Sequence, residues 1–138
     1  MSREIDEQVQ HDHLVELLYR EYYDYPNKVH PHLLTFSNHP CKTEAVQSEE
    51  GKELFPDLVV YQPRIDRLVL VVEVETESTV TPEEADEWRD FSRLGAEFHL
   101  YVPHGLGGVA DVLCREFDVT EIIEYRKETN RYVIERYR

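Results

Sequence analysis

Between Arg3 and Tyr25 the apolar residues Ile5, Val9, Leu14, Leu17, Leu18, Tyr22 and Tyr25 recur at spacings near three to five, which predicts an amphipathic helix ended by Pro26. From residue 26 to 54 that pattern is broken by Pro26, Pro31 and Pro40. Short strands are expected there at Leu33-Leu34-Thr35-Phe36 and Thr43-Glu44-Ala45-Val46. Two longer apolar runs follow, Leu58-Val59-Val60-Tyr61 and Leu68-Val69-Leu70-Val71-Val72. They read as strands buried on both faces, joined into an antiparallel hairpin through Gln62 to Arg67. Thr81-Pro82-Glu83-Glu84 carries the signature of a helix start: a capping hydroxyl, proline at the first helical position and Glu three residues past the cap. The helix is expected over Pro82 to Leu94, with Ala85, Trp88, Phe91 and Leu94 turned inward and Gly95 past its end.

A strand at Glu97 to Val102 stops at Pro103, and the order strand, helix, strand implies a crossover to a parallel neighbour. Gly105-Leu106-Gly107-Gly108 lacks a following Lys-Ser/Thr, so it reads as a turn and not as a P-loop. A third helix, about Val109 to Phe117, and a C-terminal strand pair, Ile122 to Arg126 and Tyr132 to Tyr137, complete the chain. The 138 residues fit one domain spanning 1–138, large enough for a single core. The fold class is α/β, a mixed central sheet flanked by helices.

The second buried strand ends on Glu73-Val74-Glu75, where Val or Ile would be expected. Side chains alternate along a strand, so Glu73 and Glu75 share a face. A register with residue 57 opposite 73 brings Asp57 to that face, at about 5 Å between Cβ atoms. Three carboxylates in a desolvated cleft repel one another unless a cation or a shared proton compensates. Oxygen-only ligands favour Mg²⁺ or Mn²⁺ over zinc. The bland reading of the same residues is a strand end leaving the core with its acids in water.

Charge weighs against a polyanionic partner. The formal net charge is −14, and an acidic surface repels nucleic acid unless a basic patch is segregated from it. The least hostile segment is C-terminal, where Arg126, Lys127, Arg131, Arg136 and Arg138 are interleaved with Tyr125, Tyr132 and Tyr137; its plainer reading is the solvated side of a hairpin. Cys41 and Cys114 form no CxxC pair, which fits free thiols in a reducing compartment. With no apolar run of membrane-spanning length and no signal-type N-terminus, a cytoplasmic location without membrane association is expected.

The succession of helix, two or three strands, helix and strand, with Pro56-Asp57 opening one strand and Glu73-x-Glu75 closing the next, resembles the PD-(D/E)xK nuclease superfamily over roughly residues 3–102. That resemblance implies a restriction-endonuclease-like sheet in the order αβββαβ, followed here by a C-terminal helix and strand pair. It implies Asp57 and Glu73 as acidic metal ligands, and Glu75 standing where most members have lysine. Catalysis by Asp57, Glu73 and Glu75 with Mg²⁺ or Mn²⁺ on the phosphodiester bonds of nucleic acid is the activity it implies. An inactive scaffold or interaction subunit of the same fold is the alternative. Glu16 on the first helix is a candidate outer contact, and Lys52, Arg89 and Arg93 are candidate phosphate contacts. A homodimer or a partner protein would supply the missing positive charge. His30-Pro31-His32 and His39-Pro40-Cys41 offer zinc donors without a zinc spacing. His11 and His13, two apart on a helix, cannot share a face. His99 and His104 flank a strand end that could approach the acidic site.

Overall fold

The computed structural model describes residues 3–138. Helix α1 (Ile5–Leu17) continues into a π-helical turn, Leu18–Tyr22. The strands are β1 (Leu34–Ser37), β2 (Val46–Gln47), β3 (Glu53–Leu54), β4 (Leu58–Gln62) and β5 (Arg67–Val74). Helix α2 (Pro82–Ser92), strand β6 (Glu97–Pro103), helix α3 (Gly107–Leu113) and strands β7 (Glu121–Glu128) and β8 (Arg131–Arg136) follow. Six strands form one mixed sheet in the order β1-β4-β5-β6-β7-β8, and β2 and β3 pair as a separate short ribbon. The β1, β4 and β5 strands run antiparallel, β5, β6 and β7 run parallel, and β8 returns antiparallel to β7.

Helix α1 packs on one sheet face over Leu58, Val60, Val72 and Val74. On the other face α2 and α3 enclose Val71, Phe98, Leu100, Val102 and Ile122. Alternation along β5 divides its valines between the two cores, which is why the strand is apolar throughout until Glu73.

The expected hairpin is present, with Leu58 opposite Val72 and Val60 opposite Leu70. Asp66 takes the left-handed conformation (φ 50°) and its N–H bonds Pro63 O at 3.1 Å, a conformation that a short polar side chain tolerates. The Thr81 hydroxyl accepts from Glu84 N–H and Pro82 opens α2, as its sequence predicts. Gly95, just beyond α2, has φ +77°, the left-handed position favoured past a helix end. The crossover from β5 through α2 to parallel β6 is likewise observed.

Three local expectations differ. In α1 the inward residues are His11, Leu14, Val15 and Leu18, all nearly inaccessible, whereas Ile5 and Val9 are 83% and 49% exposed. Spacing i, i+3, i+4, i+7 makes this the true buried stripe, and it starts with a histidine. Residues 43–45 form no strand, because the Thr43 and Glu44 N–H groups are taken by the Asn38 side-chain oxygen at 2.9 and 2.8 Å. Strand β2 therefore begins only at Val46 and pairs with β3, whose two residues are too few to leave a periodic signal.

Candidate metal centre and carboxylate cluster

Because Leu58 faces Val72, the antiparallel register carries Asp57 to the place opposite Glu73. Two bonds lock that arrangement: the Asp57 N–H donates to Glu73 Oε1 at 3.0 Å, and Asp57 Oδ2 accepts the Val74 N–H at 2.7 Å. Asn38 holds the loop after β1 against the same segment. Its N–H donates to Asp57 O at 3.0 Å, and its amide nitrogen donates to Pro56 O at 2.7 Å and Glu44 O at 2.9 Å. The next residue, His39, is thereby placed beside Asp57.

Two imidazoles reach Asp57 from different elements. His11, on the buried stripe of α1, brings Nε2 to 3.1 Å from Oδ2, and His39 brings Nε2 to 2.7 Å from Oδ1. On the far side of both rings lies one further carboxylate oxygen, Asp12 Oδ1, at 2.9 Å from His11 Nδ1 and 3.5 Å from His39 Nδ1. The rings meet edge to face with centroids 4.7 Å apart. His11, His39 and Asp57 each offer a ligand atom, all within 4.8 Å of one another. A cavity of about 180 Å³, lined by Asp12, His13, Glu16, His39 and Pro40, opens next to this group.

The electrostatics follow from burial with opposite charge close by. Burial works to lower His11, but the Asp57 carboxylate outweighs it and raises the pKa. Asp57 moves the other way: burial opposes ionisation, and the His11 and His39 imidazoles overcome it and hold the carboxyl well below the usual range. For Glu73 burial and like charge dominate. Burial first, then the charges of Asp57, Glu75 and Glu87, push its pKa well above 4.5. It shares a hydrogen bond with Glu87 of α2, whose own pKa is also raised by burial.

Glu75 is engaged separately. Its Oε2 accepts the Trp88 indole N–H at 2.7 Å, and its Oε1 accepts from the Arg3 guanidinium at 3.1 Å. Burial raises its pKa from 4.5 to about 8, and hydrogen bonds from Trp88 and Thr79 oppose that rise. Of the three acids singled out in the sequence, the structure thus brings Asp57 and Glu73 together and directs Glu75 to α2 and Arg3. Glu16 lines the cavity beside His39 and pairs with Arg20 at 3.5 Å. Lys52 bonds Asp90 at 3.2 Å and acts electrostatically on Glu87, so it stands at the rim of the carboxylate cluster. Arg89 pairs with Asp86 and lies over the Phe117 ring, and Arg93 closes α2. His99 bonds the Tyr23 hydroxyl at 2.9 Å, and His104 pairs with Glu124. Four C-terminal arginines are paired: Arg126 with Glu128 and Glu135, Arg131 with Glu128, Arg136 with Glu121 and Arg138 with Asp111.

His11 and His39 are not among the site residues expected from the sequence, where His11 is set against His13 and His39 is a zinc donor without a zinc spacing. His11 could have been found as the one polar residue in the i, i+3, i+4, i+7 stripe with Leu14, Val15 and Leu18. Nothing in the spacing places His39 beside Asp57, since its loop is folded back by bonds of the Ser37, Asn38 and Thr43 side chains.

These raised acids set a pH dependence. A carboxyl whose pKa is higher in the fold than in the unfolded chain stabilises the fold below the unfolded value, and that contribution is lost as pH rises through the folded one. For Glu75 the window runs from 4.5 to about 8, with Glu73 and Glu87 acting in the same direction. His99, lowered by burial, opposes the trend by losing stability as pH falls through about 6.5. The three acids outnumber it, so the urea midpoint of the metal-free protein is expected to be lower at pH 8 than at pH 5. A midpoint that rises over this range would contradict the assignment of protonated, buried glutamates.

No family model, curated protein or solved structure matches the chain. Among the described residues, no helix is long and apolar enough to cross a membrane.

Proposed function

We propose that this protein is a divalent-metal-dependent hydrolase of phosphodiester bonds in nucleic acid, built on a restriction-endonuclease-like arrangement. The observation that carries this reading is the buried Asp57–Glu73 pair, set opposite one another where the central antiparallel strands end. The strand order β1-β4-β5-β6, antiparallel and then parallel, with α1 before it and α2 at the crossover, supports the αβββαβ assignment. A bound divalent ion would polarise a phosphoryl oxygen and acidify a water.

The chain's own residues supply the rest. Asp57 presents a carboxylate kept ionised by two imidazoles. Glu73 and Glu87 share a proton and can pass it between a water and the leaving oxygen. Lys52, paired with Asp90, offers a cation at the Glu87 rim of the carboxylate cluster. A second copy or a partner protein would provide further positive charge for a polyanionic substrate. Cleavage of single-stranded, duplex and branched DNA and of RNA is to be measured with Mn²⁺, with Mg²⁺ and with chelator. Metal-dependent cleavage that falls at least about 100-fold in Glu73→Gln, the scale of losing general acid–base catalysis, is the expected result. Cleavage that persists unchanged in the variant would overturn the assignment.

A second reading, a catalytically inactive scaffold of the same fold, is favoured by one set of observations. Glu75 is bound to Arg3 and Trp88, and Arg126, Arg131 and Arg136 of the C-terminal hairpin are spent on local acids. On that reading the protein cleaves none of the four substrates under any metal condition, and its metal serves stability.

A further inference from the structure

We propose that His11, His39 and Asp57 form a binding site for a late first-row divalent ion of the Zn²⁺ type, with Asp12 as the positioning residue that orients both imidazoles. This rests on the reading above in that it assigns the ion which that reading requires, and it changes the expected ion from Mg²⁺ or Mn²⁺ to one that takes nitrogen.

Four features carry it. The donor set is two imidazole nitrogens and a carboxylate, which suits Zn²⁺ and its neighbours and not Mg²⁺, a hard ion that prefers oxygen alone. Both ligating nitrogens are Nε2, and both face the same carboxylate, at 3.1 and 2.7 Å. Ligands bonded tetrahedrally to zinc stand about 3.3 Å apart, and the three donor atoms here lie within 4.8 Å of one another, so side-chain rotation draws them round one ion. The third feature is the single Asp12 oxygen behind the two Nδ1 atoms. A carboxylate there accepts the Nδ1–H of His11 at 2.9 Å and faces Nδ1 of His39 at 3.5 Å, which favours Nε2 lone pairs pointing forward, the outer arrangement found behind metal-ligating histidines. Finally, His39 is partly exposed and lines a cavity of about 180 Å³ together with Asp12, so one ligand of the group is open to solvent.

The ligands also come from three separate pieces of chain: α1, the loop after β1 and the start of β4. An ion held between them ties the first helix to the central sheet and is linked to folding. Cys41, two residues from His39, is exposed and lies outside the ligand group, so it serves as an internal control.

The test uses the full chain stripped with chelator and titrated with Zn²⁺ and, separately, Mg²⁺, read by calorimetry and thermal unfolding. Co²⁺ absorption in the visible reports the donor geometry. Expected is one Zn²⁺ per chain with a rise in melting temperature, no rise with Mg²⁺ at equal concentration, and Co²⁺ bands of a nitrogen/oxygen site. His39→Ala, on a partly exposed loop and so safe for folding, should weaken Zn²⁺ binding by more than about 100-fold, beyond the range of an outer-shell loss. Asp12→Asn should weaken it about 10–100-fold and shift the Co²⁺ bands, with recovery in Asp12→Glu. Cys41→Ser should leave affinity unchanged. Binding that survives His39→Ala, or is lost in Cys41→Ser, overturns the site. Zn²⁺ binding with these dependences but no cleavage of any nucleic acid removes the hydrolase reading and leaves the metal site standing. Mg²⁺-dependent cleavage that is lost in Glu73→Gln but indifferent to His39→Ala, with no Zn²⁺ bound, does the reverse.

Discussion

Asp57→Ala is expected to destabilise the metal-free protein by about 3–5 kcal/mol, the range for breaking a buried ion pair from one side. The carboxylate is 4% exposed, accepts the Val74 N–H, and faces the Nε2 atoms of both His11 and His39. His11 is itself 1% exposed, so without Asp57 it must either keep an uncompensated charge in the interior or bury an unbonded ring nitrogen. The Val74 amide loses its partner as well. Asp57→Asn keeps the volume and one acceptor for Val74 and should lose less than the alanine variant. Because the two side chains act as a pair, His11→Phe combined with Asp57→Ala should cost less than the two single changes added together, by at least about 1 kcal/mol. Urea unfolding at neutral pH in chelator gives all four values, and an Asp57→Ala midpoint equal to that of the parent would refute the buried pair.

Trp88→Ala should be comparably severe, about 3–5 kcal/mol from the lost side chain alone. The ring is fully buried, and it packs in the α2-side core that includes Phe91 and Phe98. Its indole N–H is also a donor to Glu75, beside Arg3 and Thr79, and that carboxyl is 1% exposed. Trp88→Phe separates the two contributions: most of the apolar volume remains, but the donor is gone, at about 1–3 kcal/mol for a buried group left unbonded. Small domains are stable by only about 5–15 kcal/mol, so the alanine variant should be partly unfolded at 37 °C while the phenylalanine variant remains folded. A phenylalanine variant as stable as the parent would mean that Glu75 does not depend on the indole, and that Arg3 and Thr79 hold it without one.

The parts of the fold that were legible in the sequence are those in which one period dominates. The apolar runs around Val59 and Val71 could only be buried strands, and the spacing between them set the hairpin register that brings Asp57 to Glu73. Thr81-Pro82 and Gly95 marked both ends of α2 through backbone chemistry that is purely local. Helix α1 was legible as a helix but not in its orientation. Ile5 and Val9 extend an apolar pattern that the fold leaves in water, and the residue that continues the buried stripe at that end is a histidine, which no hydrophobic count rewards. The loop around Asn38 was illegible for a different reason: one side-chain amide satisfies backbone groups of three other residues, Thr43, Glu44 and Pro56, and such bonds have no periodicity. Glu75 shows the limit of reading faces from alternation. It does point to the same side as Glu73, but just past the strand end it meets Trp88 and Arg3, which are 13 and 72 residues away in the chain.

The site therefore changes character between sequence and structure. Three acids on a strand pair suggest a hard, oxygen-ligated ion. In the folded chain Asp57 instead sits between two imidazoles that share an outer carboxylate, while Glu73 and Glu87 form a neighbouring proton-sharing pair. The proposed ion beside the Glu73–Glu87 carboxyl pair would suit hydrolytic chemistry, and the same ion could equally serve to fasten α1 to the sheet.

The most direct measurement is anomalous diffraction at the zinc edge from crystals of the full chain grown with one equivalent of Zn²⁺. The predicted result is a single strong peak at bonding distance from His11 Nε2, His39 Nε2 and an Asp57 carboxylate oxygen, with Asp12 behind the rings. A peak at Cys41, or no peak between the two imidazoles, would contradict it.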